Sequence, residues 1–212
     1  MIESPQNPPQ ASPLKKALGV IVLVVIICLL IRAGSKVEPQ GDKGSAMPAE
    51  SVSSLIWRAR DLGDLTLDAP YGILPGADRI AQLPAEAREV VESYEVFESE
   101  LANPHLKVSR IRYKPGVELS LENAMDGAVR AVAAATGDVN PQINSTLVSI
   151  DGLPTCRADY SGSAKGKALH VDAAFVQRGQ EMWQAQVISI GDFSAADTKR
   201  ILDSIHLHAE TR

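Results

Sequence analysis

An unbroken apolar run, Ala17 to Ile31, divides this chain of 212 residues into two unlike parts. Lys15 and Lys16 stand at its front edge and Arg32 at its back. In hydrocarbon a single segment satisfies its own backbone hydrogen bonds only as a helix. The run itself gives a helix of roughly 22 Å, short of a ~30 Å hydrocarbon core. Extending it from Leu14 to Gly34 brings the length to about 31 Å, with Lys15, Lys16 and Arg32 reaching toward the headgroups. Residues 14–34 are therefore expected to form one transmembrane helix.

A cleaved signal peptide is the competing reading. Ala33-Gly34-Ser35 loosely matches a small-x-small cleavage site, but Arg32 just before it and sixteen residues of leader argue for an uncleaved anchor. Lys15 and Lys16 favour a cytoplasmic N-terminus, and Arg32 with Lys36 nearly balances them. A short tail before the span and a large domain after it favour the N-in arrangement. The expected arrangement is thus a single-pass membrane protein with its C-terminal domain on the non-cytoplasmic side.

Residues 1–13 hold four prolines and two glutamines and read as a disordered tail. Residues 35–51, rich in Gly, Pro and Ser, read as a flexible stalk. Residues 52–212 form the domain. Of 21 basic and 26 acidic residues, five and three lie in 1–49. The remainder carries sixteen and twenty-three, a net charge of −7. Such a domain lacks the basic footprint that phosphate backbones require, so nucleic-acid binding is excluded.

Within the domain, Leu65, Leu67 and Ala69 alternate with polar residues, and Tyr71-Gly72 and Pro75-Gly76 suggest a hairpin. Residues 84–93 have helical spacing, followed by a strand at 94–99 and another at 106–114. On the latter, Val108, Arg110, Arg112 and Lys114 share one face, opposite Lys107, Ser109, Ile111 and Tyr113. The clearest helix runs from Leu121 to Ala135, capped by Ser120 and stopped at Gly137. Strands are expected at 145–150, 155–161, 168–177 and 181–190, and a last helix after Ser194 turns Ile201, Leu202 and Ile205 inward. This pattern is α+β, an antiparallel β-sheet covered by helices.

The order of elements, from LTLDAPYGILPG through KVSRIRYKPGVELSLENAMDGAVRAVAAATG, DGLPTCRADY and VQRGQ to MWQAQVISIGDFSAADTKRILDSIHL, resembles the PsbP-like or DcrB-like α/β/α sandwich over residues 62–208. Trp183 and the Ile201–Ile205 ending are the most suggestive residues. The resemblance implies a partner-binding or assembly protein, and it supplies no catalytic residues.

The residues carry little chemistry of their own. His170 and Asp172 share a strand face, and His206 and His208 would share another; if those strands were neighbours, the four would form a Zn²⁺ or Mn²⁺ site. Cys156 alternates with Arg157 and faces Ala158 and Tyr160, as a buried structural thiol does. The stretch 161–168 is a defective phosphate loop between strands, without a helix to cradle phosphate. Glu86, Glu89, Glu92, Glu95 and Glu98 recur every third residue. They read as a solvated face whose later members pair with Arg110, Arg112 and Lys114, or, through Glu86, Glu89 and Glu92, as a landing surface for a basic partner. No catalytic residue and no cofactor is expected. The reading is a membrane-anchored, non-catalytic module of the cell envelope that binds another envelope protein. The alternatives are a small-ligand or metal-binding envelope protein, and an adaptor or immunity protein for a secreted effector.

Overall fold

The computed structural model describes residues 56–208 apart from 102, 139, 165, 192 and 193. The expected tail, the span 14–34 with its flanks Lys15, Lys16 and Arg32, and the stalk lie outside the described residues. Among the described residues, no helix is long and apolar enough to cross a membrane.

Among the described residues, the domain has ten strands and three α-helices. In chain order they are β1 (Arg58–Asp61), β2 (Leu65–Ala69), β3 (Ala77–Asp78), α1 (Ala85–Val90), β4 (Val91–Glu98), β5 (His105–Tyr113), α2 (Leu121–Ala135), β6 (Ile143–Ile150), β7 (Leu153–Ala164), β8 (Lys167–Arg178), β9 (Glu181–Ile190), α3 (Ala195–Asp203) and β10 (His206–Leu207). Seven strands form one antiparallel sheet in the order β3-β4-β5-β9-β8-β7-β6. The other three form a small sheet, β1-β2-β10. The α+β class, an antiparallel sheet covered by helices, is therefore present.

Each face of the large sheet carries its own core, because side chains alternate between faces along a strand. Leu169, Val171, Ala173 and Phe175 of β8 join Met125, Ala128, Val129 and Val132 of α2 in one. Ala174 and Val176, one step out of phase, join Trp183, the β2 residues Leu65 and Leu67, and Ile201, Leu202 and Ile205 of α3 in the other. Trp183 is fully buried and stacks on Phe97, ring centroids 6.3 Å apart.

Local sequence dictates several of these elements. The Ser120 side chain accepts a hydrogen bond from the Asn123 N–H at the start of α2. At the other end the Gly137 and Asp138 N–H groups bond to the carbonyls of Ala134 and Ala133, with Gly137 at φ +90°. That double closure needs a left-handed residue, which glycine adopts without strain. Asp151 and Gly152 both have positive φ and close the β6–β7 hairpin, Ile150 facing Leu153.

Three expectations change. The hairpin expected around residues 65–76 does not form: β2 pairs with β1 and β10, and the chain crosses to β3 in the other sheet. The helical segment expected at 84–93 ends at Val90, because Val91 already pairs with Tyr113 across β4 and β5. Arg110 does not pair with the acidic run as expected. Although Glu95 stands opposite it, its guanidinium bonds Glu181 and Asp64, and Glu98 pairs with Arg79 and His105.

Candidate functional site

The two edges of the large sheet are unlike. One ends in β3, a strand of two residues, the kind of short edge that discourages further pairing. The other ends in β6, eight residues long and, among the described residues, paired only with β7 through an unbroken register. Residues 144–149 of β6 are exposed on both faces. Leu147 is 61% exposed on the α2 face and Val148 41% on the opposite face. Apolar side chains of the strand reach the cores only at its ends: Ile143 packs partly into the α2-side core and Ile150 into the other.

The sequence of this strand, INSTLVSI, has no charge and no proline. Exposed edges are ordinarily blunted by lysine, proline or a bulge. This one has none of these. Its geometry suits addition of another extended segment, with backbone hydrogen bonds giving affinity and alternate side chains giving register.

On the opposite side of the sheet from α2, a cluster of ion pairs ties the small sheet to the large one. Asp64, just before β2, accepts from Arg110 and from Arg178, both at 2.7 Å. Glu181 accepts from Arg110 at 2.5 Å and from Arg178 at 2.6 Å, and Arg112 approaches it at 3.4 Å. The Arg110 guanidinium also lies 5.2 Å from the Trp183 ring centroid. Burial alone would raise the Glu181 carboxyl, but its bonds to Arg110 and Arg178 outweigh that and hold it below the usual carboxylate range. With every charge paired, the cluster holds two layers in register and has no evident chemistry toward a substrate.

The four residues named for a metal are not brought together. His170 and Asp172 lie on β8 of the large sheet, whereas His206 is on β10 of the small one and His208 just beyond it. His170 Nδ1 is 3.1 Å from the Ser161 hydroxyl, and His206 Nδ1 is 3.3 Å from Asp151. The tail histidines are drawn away because β10 pairs with β2, and because the Asp151 carboxylate holds the Leu207 N–H at 2.9 Å. Among the described residues, no group of three or more His, Cys, Asp or Glu is placed to hold a metal ion.

Arg157, whose charge could have lined a cleft, is instead committed to α3. Its guanidinium donates to the Leu202 carbonyl at 2.6 Å and meets Asp203 at 3.3 Å, serving the C-terminal end of that helix. Cys156 is 1% exposed, and burial pushes its thiol up, away from a reactive thiolate. Glu86 and Glu89 are exposed on the short helix α1 and Glu92 is exposed on β4. Lys114 donates to the backbone carbonyls of Arg88 and Glu89, not to the carboxylates.

No protein-family model matches the chain, and no curated protein sequence matches it. Solved structures are similar at low identity. Cyanobacterial PsbP from Synechocystis sp. PCC 6803 is 16% identical, with a TM-score of 0.46, over 81% of this chain and 100% of that one. A crystal structure from Bacteroides thetaiotaomicron VPI-5482 is 9% identical, with a TM-score of 0.39, over 70% of this chain. The chain spans 47% of that structure's length. A protein of unknown function from Pseudomonas aeruginosa is 12% identical, with a TM-score of 0.29, over 66% of this chain and 85% of that one.

Proposed function

We propose that this chain is a non-catalytic binding or assembly module of the bacterial cell envelope, with a PsbP-like domain held at the inner membrane by residues 14–34 and projecting into the periplasm. The observation that carries the binding role is β6, an uncharged edge strand exposed on both faces. The occupant is an extended, uncharged segment of another membrane-held protein, added beside β6 as a further strand. A charged segment would bury its charges against Leu147 and Val148 without counterparts. The apolar run supplies the tether, and a stalk of about seventeen residues has a root-mean-square reach on the order of 25 Å. Tethering raises the effective concentration of any partner segment in the same membrane.

The test is site-specific photocrosslinking in intact membranes, with the crosslinker placed in turn at residues 144 to 149. The expected result is one defined adduct whose yield alternates along the strand, lost in L147K/V148K. Adducts no stronger than those from exposed residues on α3, or unchanged in L147K/V148K, refute the strand-addition role. Carbonate extraction tests the tether separately: the full chain stays with the membrane pellet and a chain lacking residues 1–34 does not. Release of the full chain removes the anchor from the proposal.

A further inference from the structure

The α2-side face of the large sheet is not wholly apolar. Lys107 of β5, 5% exposed, stands directly across from Gln186 of β9, 2% exposed, and Ser109 and Gln184 form the next pair along the same strands. On its other side Lys107 faces Glu98 of β4. Glu98 meets Arg79 at 3.9 Å and His105 at 3.6 Å, and these three side chains are between 23% and 32% exposed. The arrangement has a floor of Lys107 and Gln186, and a partly open rim of Arg79, Glu98 and His105.

The polar groups here do not balance. The Gln186 side-chain nitrogen is buried without a hydrogen-bond partner, and so is Nε of Arg79. An orphaned buried donor costs roughly 1–3 kcal/mol, so the Gln186 nitrogen, one strand from Lys107, calls for an acceptor. Ser109 is already engaged by Tyr94, and the Gln184 amide points at the Met182 sulfur, 3.6 Å away. The carboxylate that is present, Glu98, meets Arg79 and His105 at the rim. The formal charges of Lys107, Arg79 and Glu98 sum to one positive charge, before any contribution from His105.

We propose that Lys107 and Gln186, with Arg79 at the rim, form a binding site for a small monocarboxylate, which accepts hydrogen bonds from the Lys107 ammonium and the Gln186 amide. One negative charge neutralises the cluster. A dianion such as hydrogen phosphate would leave an excess negative charge in a buried place, which the site disfavours. Planar carboxylate oxygens supply acceptors without donors, matching the Lys107 ammonium and the unpartnered Gln186 amide nitrogen. The Lys107 ammonium, which burial now holds down to about 8, would return toward its ordinary value beside such an anion.

The probe is sodium acetate, titrated into the detergent-solubilised full chain and read by NMR on the Gln186 side-chain amide and the Lys107 Cε–H group. Sodium chloride and sodium phosphate at matched ionic strength are the comparison arms. Acetate is expected to shift both signals saturably and to move the Lys107 titration upward. Binding weakens at least about tenfold in K107Q, read on the Gln186 amide, and in Q186L, read on Lys107. Flat signals in the folded wild type overturn the proposal whatever the variants do. So does saturation by phosphate or chloride that is tighter than by acetate.

Discussion

Asp159 of β7 and Asp172 of β8 stand directly opposite each other on the α3 side of the large sheet. Like charges in a cross-strand pair repel, and Asp172 is also partly buried. Burial first, and the Asp159 charge second, raise the Asp172 carboxyl above its ordinary value, and His170 only partly offsets them. Asn144 relieves the other partner, donating to Asp159 at 2.8 Å.

A carboxyl raised in the folded state binds its proton more tightly there than in the unfolded chain. Stability contributed by Asp172 therefore falls as pH climbs from the ordinary carboxylate range through its raised value. Asp172→Asn is expected to stabilise the domain by a few tenths of a kcal/mol, up to about 1, near pH 7. The gain disappears in acid, where the Asp172 carboxyl, raised above its ordinary value, is itself protonated. Urea midpoints at neutral and acid pH check this, and an unchanged or lower midpoint for the variant at neutral pH would contradict it.

Glu181 gives the opposite sign. It is buried, and its two arginine partners hold it below the ordinary carboxylate range, so its contribution is present at neutral pH and lost as pH falls through the lowered value. Glu181→Gln leaves Arg110 and Arg178 short of a counterion and is expected to cost roughly 3–5 kcal/mol near pH 7. The cost shrinks in acid, where the wild-type carboxyl is itself protonated. A uniform loss at every pH would mean that packing, not charge, is what the substitution removes.

Lys107 produces a rise on the alkaline side. Burial lowers its ammonium to about 8 from 10.5, so between those values the unfolded chain binds the extra proton and stability increases with pH. The difference between wild type and Lys107→Met, in buffers free of carboxylate, is expected to shift in favour of wild type by on the order of 3 kcal/mol across that window. The tyrosines titrate alike in both proteins and cancel. A pH-independent difference would show that the amine is not perturbed.

Ser120→Ala removes the side-chain acceptor for the Asn123 N–H at the start of α2. The expected loss is about 1 kcal/mol. Ser120→Asp should restore it, because a carboxylate serves the same position and suits the positive helix end. Thermal unfolding of the three proteins decides; a cost in the alanine variant that aspartate fails to recover would assign the effect to something other than the cap.

The legible parts of the fold are those whose cause is local. Ser120, Ser194, Gly137 and Asp151-Gly152 each fix a boundary through hydrogen bonds or backbone conformation within a few residues, and α2, α3 and the β6–β7 turn lie where the sequence places them. Strands β1, β3 and β10 were not legible because they are two to four residues long and exist only through distant pairing, as Leu207 with Leu65. Lys107 shows the same limit at the level of one side chain. Alternation assigns it correctly to the face of Ser109, Ile111 and Tyr113, but a lysine on a strand reads as solvated until the helix-side layer covers that face.

By itself the sequence determined the α+β class, the hairpins from β6 to β9, the capped helices and the inward faces of α2 and α3, because each follows from periodicity or turn chemistry within a short window. It also separated the apolar run from the acidic domain by composition alone. The tertiary structure decided which strand ends the sheet, and so left β6 open and β3 blunt. It parted His170 and Asp172 from His206 and His208, and it set Lys107 beside an orphaned Gln186. These are matters of which distant segments become neighbours, and the packing of two layers on one sheet settles them after local preference is exhausted.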